Sequence, residues 1–127
     1  MIEILDLRVD LAGFTLGPIS LTVESGSFFA LMGPTGSGKT LLLEALSGLL
    51  RPIRGLIRFN GRNVTDAPPE KHHIGLVYQD HALFPHLRVL DNITYGQRYN
   101  GVKSDEGKKY AHELSEMLGL SHLLKRK

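Results

Sequence analysis

The chain has 127 residues, which suffices for one domain with a core and leaves no spare length for a second. Hydrophobic residues at 42% and charged residues at 22% describe an ordinary globular chain and exclude a disordered tail. Fifteen basic against 13 acidic residues leave a net charge of +2, with basic clusters only at Lys108-Lys109 and Lys125-Arg126-Lys127, so a nucleic-acid partner is not indicated; the absence of cysteine excludes a disulfide framework and thiolate metal sites.

In chain order, Met1-Ile2-Glu3-Ile4 lacks the basic-then-apolar pattern of a signal peptide, and no apolar run approaches a membrane-spanning length, so the cytoplasm is the default compartment. Met1 to Leu7 alternates, with Ile2 and Ile4 against Glu3 and Asp6, and predicts a half-buried strand. Gly17 and Pro18 break the chain before a second alternating segment, Ile19 to Val23. Glu24 to Ser27 reads as a turn, and the continuous run Phe28-Phe29-Ala30-Leu31-Met32 as a strand buried on both faces. A helix follows with Leu42, Leu43, Leu46 and Leu50 on helical spacing, ended by Ser47-Gly48 and Pro52. Leu56 to Phe59 and Arg62 to Val64 flank Asn60-Gly61, the pair suited to a type I′ hairpin turn. Ile74 to Tyr78 is a short apolar strand ending at Gln79. Asp91 to Tyr99 predicts a helix, and Ser104 caps another with Ala111, Leu114, Met117 and Leu118 on one face; Gly119 closes it and Ser121 begins another helix.

Between the apolar run and the first helix lies Gly33-Pro34-Thr35-Gly36-Ser37-Gly38-Lys39-Thr40, a full match to G-x-x-x-x-G-K-[ST]. The chemistry explains the spacing. Glycines let the backbone turn tightly and aim N–H groups at an anion, and the helix opening at Lys39 adds its unpaired N–H groups and positive dipole end, through Leu41. Lysine reaches the outer phosphates of a nucleoside triphosphate, and the Thr40 hydroxyl ligates Mg²⁺. His72 and His73 are adjacent, so their side chains diverge, while His81, His86, His112 and His122 share no ligand spacing; surface and loop roles are assigned to them instead of a zinc site.

A second motif narrows the field. Val77-Tyr78-Gln79-Asp80-His81-Ala82-Leu83-Phe84-Pro85-His86-Leu87 resembles the Q-loop of ATP-binding cassette (ABC) transporter ATPases, and Asp91-Asn92-Ile93 resembles the opening of that family's helical subdomain. The resemblance covers essentially the whole chain. It implies an α/β P-loop NTPase of ABC type with a peripheral antiparallel β subdomain. ATP would be bound by Gly33, Pro34, Thr35, Gly36, Ser37, Gly38, Lys39, Thr40 and Leu41; Thr40 and Gln79 would hold Mg²⁺, and Gln79 would act in catalysis. An amide oxygen suits the metal while its loop is tugged by a partner. That partner would be a membrane-spanning permease, met through Ala82, Leu83, Phe84 and Pro85. The subunit would dimerise at the cytoplasmic face of the membrane.

The run Gly33 to Glu44, with Val64-Thr65-Asp66, Pro69-Glu70-Lys71-His72 and Val77-Tyr78-Gln79, resembles in particular the ATPases of molybdate/tungstate importers, although importers of sulfate, sugars and polyamines share most of it. The family usually stacks adenine on an aromatic residue upstream of the loop. Leu11 stands at that position here, and either Phe14 supplies the ring or the base is held by apolar contact alone.

The resemblance also sets an expectation about extent. No Leu-Ser-Gly-Gly signature, no Asp-Glu-terminated strand and no later switch histidine occurs, so residues 1–127 read as the N-terminal part of one ABC ATP-binding domain, expected to be inactive alone and prone to associate through Phe28 to Met32. Two rivals stand beside it. A P-loop kinase or GTPase lacks support from any Asn-Lys-x-Asp motif, and an inactive nucleotide-binding remnant would share the loop without the turnover.

Overall fold

The computed structural model describes residues 1–79, 83–98 and 104–127. The chain forms two compact units, Met1–Leu76 and Val77–Lys127.

In the first unit, β1 (Ile2–Leu11), β2 (Phe14–Val23), β3 (Arg54–Phe59) and β4 (Arg62–Asn63) form an antiparallel sheet in the order β2-β1-β3-β4. The alternation of β1 changes phase partway. Ile4 is buried, then Leu7 and Val9 are buried, so the inward positions switch from even to odd. A bulge makes the switch: the register with β2 shifts between Ile4 and Leu7, and Asp6 takes a positive φ of 47°. Asp6 is secured there by Ser20 Oγ, which accepts from its N–H at 2.8 Å, and by an ion pair to Arg54 at 2.8 Å. The strand thus keeps one face in the core as far as Val9, longer than the alternating stretch predicts. β2 likewise runs through Gly17 and Pro18, where a break was expected; as an edge strand it has no second neighbour requiring the proline's missing N–H. The predicted hairpin forms, with Arg58 opposite Asn63 and both Asn60 (φ 48°) and Gly61 (φ 78°) left-handed, as a type I′ turn requires.

Helix α1 (Lys39–Leu46) closes this unit by laying Leu42 and Ala45 on Ile4, Leu7, Val9, Leu16, Ile57 and Val64. Leu43, expected on the packed face, is exposed, because the buried stripe passes through Leu42 and Ala45. Ser47 and Gly48 end the helix as predicted, with Gly48 at φ 77°.

Two predicted strands are absent. Phe28 to Met32 is neither a strand nor buried: Phe28 is 97% and Met32 88% exposed. Ile74 to Tyr78 is also outside the sheet. A strand draws its backbone hydrogen bonds from neighbours, and among the described residues no ladder pairs with either segment.

The second unit contains α2 (Val89–Ile93), a 3-10 turn over Tyr95–Arg98, α3 (Ser104–Met117) and a 3-10 turn over Ser121–Leu123. The helix expected over Asp91 to Tyr99 therefore begins two residues earlier and tightens into a 3-10 turn. Its first N–H groups are satisfied from afar: Val89 N–H donates to Arg126 O at 2.8 Å and Leu90 N–H to Leu124 O at 3.1 Å. Half of the face that the pattern indicates on α3 is packed: Ala111 is buried and Leu114 half-buried, whereas Met117 and Leu118 are exposed, and Gly107 and Ser115 complete the buried row. Small residues win because Gln97 lies close against Gly107, and Ser115 satisfies its hydroxyl on Ala111 O at 2.7 Å. Among the described residues, no helix is long and apolar enough to cross a membrane.

Candidate phosphate-binding site

The Gly33–Thr40 loop is placed by the first unit alone. Gly36 and Gly38 take positive φ values of 81° and 89°, the left-handed turns that let the chain fold back and enter α1. Gly38 is also required by space: a Cβ there would meet the Leu16 side chain at 2.6 Å and the Phe14 ring at 3.2 Å. The sheet therefore buttresses the loop through β2. The first bond of the α-helical ladder runs from Leu42 N–H to Gly38 O at 2.9 Å, so Lys39, Thr40 and Leu41 present N–H groups that have no acceptor in that ladder. No side chain caps this end. An anion there would meet three donors and the positive end of the helix dipole.

Lys39 folds over the loop. Its ammonium donates to Gly33 O at 2.8 Å and Pro34 O at 2.7 Å, and lies 3.4 Å from Ser37 Oγ. The loop's internal turn is closed by Ser37 N–H on Pro34 O at 3.3 Å. Thr40, one residue on, is exposed at the helix mouth with its hydroxyl available to solvent. Gly33 to Leu41 are thus brought together as the motif predicts. Beside them opens a cavity of about 250 Å³, lined by Leu31, Met32, Gly33, Pro34, Ser37, Gly38 and Lys39 against Leu16, Ile19 and Leu42. A larger cavity, about 500 Å³, lies by the β3–β4 hairpin and His72 to Ile74, and includes none of the loop's residues. The smaller one is bordered by the lysine and the mouth of α1.

Of the two candidates for an adenine contact, Leu11 is exposed, and Phe14 is partly exposed with its ring at the loop's Gly38. Gln79 belongs to the second unit, exposed in a turn. Leu83, Phe84 and Pro85 follow in the same unit and are exposed, Leu83 at 71%. Ala82, Asp80 and His81 lie outside the described residues.

One residue was misread from the sequence. His72 is not at the surface; it is buried, with Nδ1 2.7 Å from Leu46 O at the end of α1 and Nε2 3.1 Å from Ala67 O. Its ring meets Phe59 edge to face at 5.8 Å. It clasps the helix that carries the loop to the Val64–Pro69 segment. The only sequence signal was its place after Pro69-Glu70-Lys71, a single turn of 3-10 helix that turns the imidazole inward while His73 stays exposed.

Comparison with known proteins gives the family. The sequence profile described as ABC transporter matches residues 16–127. The molybdate/tungstate import ATP-binding protein WtpC of Thermococcus kodakarensis is 45% identical over 118 residues, covering 93% of this chain and 36% of its own. The Fe(3+) ions import ATP-binding protein FbpC of Agrobacterium fabrum is 39% identical over 117 residues, covering 91% and 33%. The chain spans less than half the length of these curated relatives. A solved structure described as the dimeric, post-hydrolysis state of the ATP-binding cassette MJ0796 bound to ADP and Pi superposes with a TM-score of 0.85 at 23% identity, covering all of this chain and 61% of its own. The fold is accordingly that of an ABC ATP-binding cassette, with the antiparallel sheet at the front of it. On the profile match and these identities, the chain belongs to the ABC transporter family.

Proposed function

We propose that the chain binds ATP at the Gly33–Leu41 loop as the N-terminal part of one ATP-binding domain of an ABC importer. The observation that carries this reading is the loop itself: a helix mouth with three N–H donors outside the helical ladder, roofed by a lysine whose hydrogen bonds go to the loop's own carbonyls. A phosphate oxygen is a stronger acceptor for an ammonium than a carbonyl, so ATP replaces Gly33 O and Pro34 O as the partner of Lys39. Backbone amides take the remaining phosphate oxygens. The hydroxyl of Thr40, exposed at that mouth, fits a hard cation that prefers oxygen, and with the Gln79 amide oxygen it is assigned to Mg²⁺, which draws charge from the phosphates. Gln79 is further assigned to sensing the γ-phosphate.

The remaining assignments rest on the resemblance to ABC ATPases. Leu83, Phe84 and Pro85, with Ala82, form the apolar contact to a membrane-spanning permease; the exposure of Leu83 and Phe84 supports it. The assembled subunit works as a dimer at the cytoplasmic face of the membrane. The transported solute is assigned to molybdate or tungstate, on the identity to the WtpC protein, although relatives named for Fe(3+) and for spermidine/putrescine match nearly as well. Residues 1–127 alone are inactive, because no carboxylate that positions water against the γ-phosphate is among the assigned residues.

The test uses a version with the full length of the WtpC relatives. Thr40→Ala and Gln79→Ala are expected to lower steady-state ATP turnover and raise the Mg²⁺ concentration needed for it. Turnover unchanged in Gln79→Ala, with the permease present, contradicts the assignment of Gln79. Turnover by residues 1–127 alone that vanishes in Lys39→Ala contradicts their inactivity.

A further inference from the structure

The segment leading into α2 owes its shape to one side chain. Asn92 reaches back across the turn: its Oδ1 accepts from Phe84 N–H at 2.9 Å, and its Nδ2 donates to Phe84 O at 3.1 Å. This two-way pairing reproduces a hydrogen-bonded pair of antiparallel strands, with a side chain standing in for the second strand. The same Nδ2 lies 3.3 Å from Leu87 O and 3.2 Å from Arg88 O. A carboxamide has two N–H donors and an oxygen with two lone pairs, so both donors and one lone pair are spent on the backbone from Phe84 to Arg88. The segment contributes one bond of its own, Leu87 N–H to Phe84 O at 3.0 Å. Phe84 is held from the other side by the Tyr95 ring, with centroids 4.2 Å apart. Leu83, just before this clamp, stays exposed.

We propose that Asn92 is the positioning residue of the permease-contacting loop, fixing Phe84 so that Leu83 and Phe84 are presented in one geometry. The inference rests on the reading of that loop as the permease contact. Its physical advantage is preorganisation: a loop ordered before binding does not lose that freedom on binding. Asn92 itself faces the loop's backbone. Only an asparagine satisfies the arrangement. Aspartate would set a second oxygen against the carbonyls of Phe84, Leu87 and Arg88, and alanine would leave Phe84 N–H without its acceptor and Phe84 O with Leu87 N–H alone.

The experiment uses the full-length subunit and its reconstituted permease. In the unmutated protein, the Phe84 amide and the Asn92 carboxamide protons are expected to exchange at least about tenfold slower than in an unstructured peptide. Asn92→Ala and Asn92→Asp are expected to remove the Phe84 protection and to weaken permease association about tenfold, with the melting temperature reported alongside; Leu83→Ser is expected to weaken association while leaving Phe84 protected. Unprotected Phe84 and Asn92 protons in the unmutated protein overturn the clamp, even if both variants fail to fold. Unchanged association in Leu83→Ser contradicts the loop as permease contact. Association weakened by Leu83→Ser but not by the Asn92 variants, with Phe84 deprotected, overturns the positioning role alone.

Discussion

Two apolar segments adjoin the phosphate loop, and they fare differently. On its C-terminal side, Leu42 and Ala45 of α1 are 4% and 1% exposed; on its N-terminal side, Phe28 and Met32 are 97% and 88% exposed. Composition does not separate them, since both are rich in large apolar residues. Hydrogen-bond geometry does. A helix closes its bonds within itself and needs a neighbour only for one face, which the β1–β3 sheet supplies. A strand needs neighbours for its backbone as well as its side chains, and Phe28 to Met32 has no ladder among the described residues. The loop between them is built from the helix side: Gly38 rests on Leu16 and Phe14, and the donors belong to the helix's first turn.

This contrast can be broken most sharply by truncating side chains on either side of it. Leu7→Ala, in the buried sheet face, is expected to cost about 2–5 kcal/mol in denaturant unfolding, while Phe28→Ala stays within about 0.5 kcal/mol. Equal losses at the two positions contradict the described packing. His72→Ala is expected to cost ~1–3 kcal/mol, because it removes the ring nitrogens that face Leu46 O and Ala67 O, one of them an N–H donor in either tautomer, and opens space beside Phe59. A loss under half of that would show that the clasp is not tying α1 down. Gly61→Ala is expected to cost about 1 kcal/mol, the penalty of a Cβ at positive φ in the hairpin turn. Smallest in free energy but visible in solution behaviour, Phe28→Ser with Met32→Ser is expected to reduce self-association in sedimentation without shifting the unfolding midpoint. Undiminished association in that double variant would place the sticky surface elsewhere.

Local signals were legible, and partner-dependent ones were not. Asn60-Gly61 declared its turn, Gly33 to Thr40 its loop, and Ser47-Gly48 the end of α1, because each depends on the backbone freedom of the residues themselves. The apolar runs at Phe28 and Ile74 announced strands, yet periodicity cannot say whether neighbours are there to pair with them. The bulge at Asp6 was written in the sequence as a switch from even to odd apolar positions, a signal that a reading stopping at Leu7 misses. The face of α3 was legible only in part, Ala111 and Leu114 being packed and Met117 and Leu118 exposed. Leucine and methionine attract attention, but close approach by Gln97 selects Gly107, and the buried row continues through Ala111 and Ser115. His72 and Asn92 were legible in neither respect, since both act on backbone atoms four to twenty-six residues away.

The central claim is that the loop next to α1 is a nucleotide site made by Lys39 and the helix mouth. The direct measurement is a titration of Mg²⁺-ATP into the full-length subunit, its Lys39→Ala variant and its Thr35→Ala variant, with circular dichroism confirming an unchanged fold. Loss of a charge-assisted bond of about 1.5–3 kcal/mol predicts affinity lower by ~10- to 150-fold in Lys39→Ala. Thr35→Ala, which keeps the loop's backbone and its lysine, is expected to bind within about threefold of the unmutated protein. Equal affinity with and without Lys39, in a folded protein, would contradict the assignment of this loop as the site.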